Sequence, residues 1–303
     1  MSRKQATPAH VYRRRRLLAV LMLLIVAGGI FRLIDPRGEQ SVLDAIESIA
    51  PFKDPCPESN PFPEEFVSAW ATQHNAQDFQ AVAYNVDTDC TYQIGSATNQ
   101  YQMASTIKVM IAIAELERVS RGEVALADIK DDLTQMITVS DNDATQRLWD
   151  NQAGMQSTTA VATEFKLSHT SINKHWGISM SNAVDQTALF KQAVVTKPAS
   201  LNDESWNFLR KLLGSVDPEQ DWGAGYGLPA TWEFMVKNGW YHTTDGDDGP
   251  DNKSRVNTVG TAIDDSGKHR WIFSGYSNTW DTDAQGIDAW NALSTQIVST
   301  WAN

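Results

Sequence analysis

Hydrophobic and polar residues follow two different periods along this chain. In some segments apolar residues recur every three to four positions, as on the buried side of a helix, and in others at every second position, as in a half-buried strand. The first pattern predicts helices over residues 63–73, 106–121, 127–136, 144–149, 158–165, 182–195, 205–214 and 284–301. The second predicts strands over residues 79–85, 91–95, 234–240, 255–263 and 269–274.

This order of elements indicates the fold class. Short strands come first, a helical block follows, and three strands and one helix close the chain. Strands from both ends can share a single antiparallel sheet with helices packed on its faces. We therefore predict an α+β fold, an α/β/α sandwich with helices on both faces of the sheet. With 303 residues, 42% of them hydrophobic, the chain can bury a sizeable core.

The N-terminal segments differ from the rest in composition. Residues 1–16 are basic and include four consecutive arginines, and residues 17–34 are apolar except for Arg32. A basic flank before an apolar segment predicts a cytoplasmic N-terminus followed by a transmembrane signal-anchor. The alternative is a signal peptide cleaved near residues 27–29. The absence of a clear cleavage motif favours the anchor.

The rest of the chain is expected to be exported in either case. Residues 35–62 are rich in proline and charge and predict a linker, and residues 63–303 form the main domain. This domain is expected outside the cell, held by a single membrane span, or secreted if the N-terminal segment is cleaved. An oxidising compartment permits a disulfide between Cys56 and Cys90, the only two cysteines; two buried free thiols are the alternative.

Charge and motif searches exclude several functions. The net charge of −12 argues against a nucleic-acid partner for the bulk of the chain. The acidic residues 245–251 lack the ligand spacing of an EF-hand, so we predict a turn there and no metal site. No G-x-S-x-G, H-E-x-x-H or P-loop motif is present, and no cofactor is predicted.

One candidate for chemistry lies at the start of the second predicted helix. Ser105 precedes Lys108 by three positions, so both side chains lie on one helical face and the amine can reach the hydroxyl. A serine hydroxyl needs such a neighbour to become a nucleophile. The same two residues also fit an ordinary helix start capped by Ser105. The pair alone does not decide between these interpretations.

Two further motifs follow in order, and together they carry a family resemblance. They are Ser140-Asp141-Asn142 and Lys237-Asn238-Gly239. With Ser105-x-x-Lys108, this chain resembles the penicillin-recognising serine hydrolases, which comprise class A β-lactamases and transpeptidases. The resemblance extends from about residue 60 to the end. It implies a β-lactamase/transpeptidase-like fold with an additional all-helical subdomain.

The resemblance also implies roles for individual residues. Ser105 resembles the acylating nucleophile, Lys108 the proton acceptor or the source of an electrostatic field beside it, and Ser140 the relay to the leaving nitrogen. Asn142 looks like the amide that holds the substrate's side-chain carbonyl. Lys237 resembles the electrostatic anchor for a substrate carboxylate and for Ser140. Asp141 more simply braces the turn.

Further substrate contacts are implied along the strand that carries the third motif. The backbone N–H of Ser105 and one from residues 237–241 would form the oxyanion hole, with Gly239 and Tyr241 in this stretch. Asn238 replaces the usual Thr or Ser and is expected to donate to the carboxylate instead. Arg255 is a candidate second cation, against the alternative of an exposed strand charge. Trp176, Trp222 and Trp240 are candidates for the cleft wall or for ordinary packing.

One departure from the family pattern bears on turnover. Class A β-lactamases carry a water-activating glutamate in the loop before the helix predicted at residue 182, whereas residues 166–181 contain no Asp or Glu. We therefore expect an exported serine hydrolase that acylates Ser105 with a small-molecule β-lactam or a cell-wall peptide amide and deacylates slowly. The alternatives are a non-catalytic binding protein and a genuine β-lactamase.

Overall fold

The computed structural model describes residues 56–242 and 253–302. The predicted basic segment, the predicted membrane anchor, the linker up to residue 55 and the acidic residues 245–251 lie outside the described residues. Among the helices of the described part of the chain, none is both long and apolar enough to cross a membrane.

In the described residues, eight α-helices surround a five-stranded main sheet, and two further short strands pair with each other. The helices are α1 (Glu64–His74), α2 (Lys108–Ser120), α3 (Leu126–Thr138), α4 (Asn142–Leu148), α5 (Met155–Glu164), α6 (Ala183–Phe190), α7 (Asp203–Leu213) and α8 (Asp283–Trp301). The strands are β1 (Phe79–Asn85), β2 (Cys90–Gly95), β3 (Tyr101–Gln102), β4 (Met180–Ser181), β5 (Glu233–His242), β6 (Ser254–Ile263) and β7 (His269–Ser277). Short 3-10 turns occupy Ala104–Ile107 and Trp176–Ile178.

The main sheet is antiparallel and has the strand order β2-β1-β7-β6-β5. Strands β6 and β7 lie inside it, and nearly all their residues are buried because helices cover both faces. Strand β2 is an edge, and its side chains alternate between buried and exposed. The other edge is β5, so one side of β5 is left to line a site.

Two hydrophobic clusters fill the two sides of the sheet. On one side Val259 and Ile272 belong to the cluster that contains the apolar residues of α2, α3 and α7. On the other side Val256 and Phe273 pack with Trp70 of α1 and aromatic residues of α8. Neighbouring residues of one strand thus point to opposite faces, as the pleat requires. The predicted α+β sandwich with an additional helical layer is confirmed.

The helix and strand boundaries differ modestly from the predicted ones. Helix α2 begins at Lys108 because the preceding residues Ala104–Ile107 form a 3-10 turn. Strand β7 extends to Ser277, three residues beyond its predicted end. Asn182 caps α6 as predicted, since its side chain accepts a hydrogen bond from the Asp185 N–H at 2.9 Å.

Cys56 and Cys90 form a disulfide, with their Cα atoms 5.7 Å apart. The alternative of two free thiols therefore does not apply. The bond joins the segment before α1 to the first residue of β2, which stabilises this connection at the edge of the sheet.

Candidate active site

The three sequence motifs meet where the helical layer contacts the edge strand β5. Ser105 lies in the 3-10 turn before α2, and it is the one partly exposed side chain among residues 101–110. Lys108 begins α2, Ser140 precedes α4, and Lys237 lies on β5. The neighbouring residues in the sequence are buried, whereas Ser105 lines a cleft.

Lys108 is held tightly at the base of this site. Its Nζ donates hydrogen bonds to the Ser140 carbonyl oxygen at 2.7 Å and to Asn142 Oδ1 at 2.8 Å, and it lies 3.2 Å from Ser140 Oγ. The side chain is fully buried. Burial lowers the pKa of Lys108 to about 7, although the nearby Asp141 carboxylate opposes the change. A large share of this amine is therefore neutral at physiological pH and can accept a proton.

The amine does not donate to the Ser105 hydroxyl, although the spacing of the two residues allowed that contact. Among the described residues its partners belong to Ser140, Asp141 and Asn142. Catalytic hydrogen bonds often form only once substrate is bound. The structure therefore places the two groups one helical turn apart, with Lys108 held by the second motif.

Lys237 approaches Ser140 from the sheet. Its Nζ donates to Ser140 Oγ at 3.0 Å and to the Asn238 carbonyl oxygen at 2.7 Å. Complete burial lowers the pKa of Lys237 well below its ordinary value, and the charge of Lys108 adds to this effect. The Ser140 oxygen has two lone pairs, and one lysine approaches each of them. The hydroxyl proton is therefore not used in these two contacts.

Two residues beside the reactive groups adopt left-handed backbone conformations without being glycine. Ala104, next to Ser105, has a φ of 48°, and Ser140 has a φ of 59°. Such conformations cost about 1 to 2 kcal/mol each and persist only where the surrounding structure enforces them. Here they belong to the turns that present the Ser105 side chain and the Ser140 side chain to the site.

Gly239 allows β5 to approach the nucleophile. A Cβ atom at this position would lie 2.7 Å from the Ser105 nitrogen and 2.8 Å from the Thr106 nitrogen. Only glycine therefore lets the strand pass this close to the 3-10 turn. The predicted substrate-binding residue is a packing residue that brings the Ser105 N–H beside the backbone of β5, where an oxyanion hole requires it.

Asp141 and Asn142, the remaining residues of the second motif, make different contacts. Asp141 caps α4, since its carboxylate accepts the Ala144 N–H at 2.6 Å, in agreement with its predicted bracing role. Asn142 begins α4 and lines the cleft, and its Oδ1 is bonded to Lys108.

The cleft has a volume of about 350 Å³. Its described lining consists of Ala104, Ser105, Asn142, Gln146, Lys174, His175, Trp176, Gly177, Ile178, Trp240 and Tyr241. One wall is the segment 174–178, and the opposite wall is the end of β5. Within this described lining there is no carboxylate, which agrees with the composition of residues 166–181.

Asn238 lies away from the cleft, contrary to the expectation that it donates to a substrate carboxylate. Alternation along β5 turns its side chain to the face opposite Lys237 and Gly239. Its Nδ2 donates to the carbonyl oxygens of Gln220 at 2.8 Å and Trp222 at 3.0 Å. Both donor hydrogens therefore stabilise the loop before β5.

Arg255 is buried beside Tyr241 and does not belong to the described lining of the cleft. It is 1% exposed, and its guanidinium donates to the Lys253 carbonyl oxygen at 2.7 Å. The alternative of an exposed strand charge is therefore wrong, because β6 is covered on both faces. Arg255 pairs with Tyr241 in the sheet register, so its side chain lies beside that of a cleft residue, on the face of the sheet that also carries Lys237 and Gly239.

Two of the three candidate tryptophans line the cleft, and the third packs behind it. Trp176 and Trp240 line the cleft, and Trp222 packs behind Trp240 with ring centroids 6.1 Å apart. Sequence reasoning missed Gln146, Lys174 and His175. They carry no periodic signal, and Gln146 lies on a predicted helix as an ordinary polar residue.

Comparison with known proteins assigns the chain to a family. Residues 127–301 match the model of the Beta-lactamase enzyme family, and the chain belongs to this family. The matched residues include Ser140, Asn142 and Lys237, whereas Ser105 and Lys108 precede them. The predicted membership of the β-lactamase-like serine hydrolase superfamily is confirmed.

Solved structures show the same fold. A β-lactamase from Xanthomonas campestris pv. campestris is 16% identical, with a TM-score of 0.64 over 80% of this chain and 98% of that one. A β-lactamase from Chitinophaga pinensis is 16% identical, with a TM-score of 0.66 over 79% and 99%. An ancestral class A β-lactamase is 17% identical, with a TM-score of 0.65 over 78% and 99%. No curated protein matches the chain.

Proposed function

We propose that this protein is a serine acyl-transfer enzyme that forms an acyl-enzyme at Ser105 with an amide or β-lactam substrate. The observation that carries the proposal is the position of Ser140 Oγ, 3.2 Å from Lys108 Nζ and 3.0 Å from Lys237 Nζ. A hydroxyl held between two buried amines is an arrangement suited to moving a proton. It lies beside the one exposed hydroxyl of the helix start.

Acylation follows from these positions. Neutral Lys108 accepts the Ser105 proton as Oγ attacks the carbonyl carbon, and the oxyanion forms against the Ser105 N–H and a backbone N–H of the Trp240–Tyr241 stretch. Ser140 then gives its proton to the leaving nitrogen, the C–N bond breaks, and Ser140 regains a proton from the lysine pair. The product is an ester on Ser105.

Substrate binding uses the two walls of the cleft. Asn142 and the β5 backbone offer polar contacts to the acyl group, and Trp176 and Trp240 offer flat apolar ones. Lys237 attracts a substrate carboxylate from its buried position. The Asn238 amide takes no part, because its donors serve the loop before β5.

Deacylation is proposed to be slow. Ester hydrolysis needs a base that takes a proton from water, and the described cleft lining holds no carboxylate for this task. Such an enzyme retains its acyl group or passes it to an amine. A cell-wall peptide is the substrate class that fits this chemistry in an exported protein.

Export and anchoring are part of the proposal. The basic residues 1–16 and the apolar residues 17–34 support a signal-anchor with the enzyme outside the cell. The Cys56–Cys90 disulfide agrees with an oxidising compartment.

A time course of acylation tests the proposal. Full-length protein is incubated with a fluorescent penicillin, and labelled protein and hydrolysed penicillin are both followed. We expect a persistent label that is absent from Ser105→Ala, with little hydrolysed product. Rapid product release without label would indicate a genuine β-lactamase, and the absence of label with penicillins and peptide thioesters would indicate a non-catalytic binding protein.

A further inference from the structure

Trp176 covers the amine of Lys108 on the side of the cleft. Lys108 Nζ lies 5.1 Å from the centroid of the Trp176 ring, within the range of a cation–π contact. The other sides of the amine face Ser140 and Asn142 through hydrogen bonds. Lys108 is 0% exposed as a result. Trp176 and Asn142 are the parts of this enclosure that also line the cleft, and Trp176 places an aromatic ring over the amine.

The ring is held in place by a chain of polar contacts. Trp176 Nε1 donates to Gln146 Oε1 at 3.2 Å, and Gln146 Nε2 donates to Asp150 Oδ1 at 2.8 Å. Gln146 belongs to α4, the helix whose first turn holds Lys108 through Asn142. The position of the ring is therefore fixed relative to the amine that it covers.

The segment that carries Trp176 is itself well anchored. The backbone of Ser171 pairs with Met180 in both directions at 2.9 Å, and the Asn173 N–H donates to Ser179 Oγ at 2.9 Å. The Ser179 carbonyl oxygen accepts the Met103 N–H at 2.7 Å, two residues before the nucleophile. The ring is thus presented by a structured loop tied to the nucleophile turn.

Hydrolysis of an ester on Ser105 requires a base that can reach a water molecule, and the covered amine does not meet this requirement. A water oxygen must bond to the acyl carbon, a base must take one water proton, the C–Oγ bond must break, and Ser105 Oγ must regain a proton. Lys108, whose pKa is lowered to about 7, is the base that the proposed acylation uses. Because the Trp176 ring lies over this fully buried amine, water in the cleft has no direct access to Lys108.

We propose that Trp176 is a specificity-determining residue that excludes water from Lys108 after acylation, and so makes the acyl-enzyme long-lived toward water while an amine can still attack it. An amine acceptor is a stronger nucleophile than water and depends less on a base. The inference rests on the acylation of Ser105 proposed above and adds what happens to the acyl group afterwards.

The test compares acyl-enzyme lifetimes in full-length variants. Wild type, Trp176→Ala, Trp176→Phe and Tyr226→Ala are acylated with benzylpenicillin, excess penicillin is removed, and the adduct mass is followed with and without hydroxylamine. We expect Trp176→Ala to shorten the lifetime in water about tenfold or more. We expect Trp176→Phe to stay near wild type because a ring still covers Lys108. Tyr226→Ala removes an exposed aromatic side chain outside the described cleft lining, and as the control it should keep the wild-type lifetime.

The ratio of the two reactions separates this role from general loosening of the site. In Trp176→Ala, hydrolysis should accelerate more than hydroxylamine attack, whereas a loosened site would accelerate both alike. A second readout is the acetylation of Lys108 by acetic anhydride, mapped by peptide mass spectrometry, which should increase in Trp176→Ala of the unacylated protein. Thermal unfolding shows whether Trp176→Ala is folded. If it is not, Gln146→Ala, which removes the hydrogen bond that holds the ring, is used instead.

The outcomes distinguish the two proposals. An adduct in wild type whose lifetime is unchanged in Trp176→Ala overturns the role of Trp176 and leaves the acylation standing. The absence of an adduct in wild type overturns the acylation, and the role of Trp176 with it.

Discussion

The amines of Lys108 and Lys237 converge on one oxygen atom, Ser140 Oγ, from 3.2 and 3.0 Å. One lysine comes from the first turn of α2 and the other from the edge strand β5. Both are fully buried, and burial and their mutual repulsion lower the pKa of Lys237. Two positive charges this close together repel each other, so the neutral form of at least one amine is favoured. A neutral amine is what the transfer of the Ser105 proton requires.

The acylation rate should depend on the protonation of Lys108. Since its pKa is lowered to about 7, the neutral form that accepts the Ser105 proton is lost as the pH falls below that value. We expect the second-order rate of penicillin acylation to rise between pH 5 and 8 and then level off, with a fall of about tenfold per pH unit on the acid side. Stopped-flow measurements of the rate against pH would check this.

Lys108→Arg provides the control for this profile. Arginine keeps its charge at every pH used and cannot act as the proton acceptor. The variant should acylate far more slowly, and its profile should lack the rise near pH 7. A wild-type rate that is constant from pH 5 to 9 would rule out Lys108 as the acceptor.

Gly239→Ala should disrupt the nucleophile turn. The new Cβ would lie 2.7 Å from the Ser105 nitrogen, so the turn or β5 must shift. A displacement of this kind commonly costs roughly 100-fold in rate. Gly177→Ala is the matched control, because Gly177 lines the same cleft and a Cβ there would meet nothing within 4 Å. Equal acylation rates in the two variants would contradict the close approach of β5.

Glu117 should make the stability of the helical layer depend on pH. Burial, the neighbouring Glu164 carboxylate and a hydrogen bond to it raise the pKa of Glu117 from 4.5 to about 7. A folded-state pKa above the unfolded value means that the contribution to stability is complete below about pH 4.5 and is lost as the pH rises through 7. The loss is on the order of 1 to 3 kcal/mol.

Glu117→Gln should therefore be more stable than wild type at pH 8 and similar to it at pH 4.5. Urea unfolding at both pH values measures the difference. Glu233→Gln removes an exposed carboxylate and should leave the pH dependence unchanged. If Glu117→Gln is destabilised equally at both pH values, the raised pKa of Glu117 is refuted.

Lys166→Gly should stabilise the protein. Lys166 follows α5 with a φ of 57°, and the Leu167 N–H closes the helix end onto the Ala162 carbonyl oxygen at 2.9 Å. Glycine is the preferred residue at such a position, so the gain should be about 1 kcal/mol. Lys130→Gly, inside α3, should cost about the same amount. Thermal denaturation of both variants measures the two changes in stability, which should have opposite signs. A loss of stability in Lys166→Gly would contradict the prediction.

The fold and the motif positions were largely predictable from the sequence. Helical and strand periods depend on local side-chain order, so α2, β6 and α8 were placed within a few residues of their observed bounds. Ser105, Ser140 and Lys237 were found because each belongs to a short motif, and the three motifs follow one another along the chain in the order of the family pattern.

The rest of the site depends on contacts between distant residues. The partners of Asn238 lie in a loop 16 and 18 positions earlier, and only the pleat of β5 turns the side chain toward them. Trp176, which lies over Lys108, is hydrogen-bonded to Gln146, 30 positions away in the sequence. No periodic pattern in the sequence indicates this contact. The left-handed conformations of Ala104 and Ser140 are imposed by tertiary packing on residues that do not favour them.

The most direct test of the central claim is the mass-spectrometric mapping of an acyl group on the protein. Full-length wild type, Ser105→Ala and Ser140→Ala are incubated with benzylpenicillin, digested and searched for the modified peptide. The account predicts one benzylpenicilloyl group on Ser105 in wild type, none in Ser105→Ala, and acylation slowed about 100-fold or more in Ser140→Ala. An unmodified Ser105 in wild type, or an adduct on another residue that persists in Ser105→Ala, would contradict it.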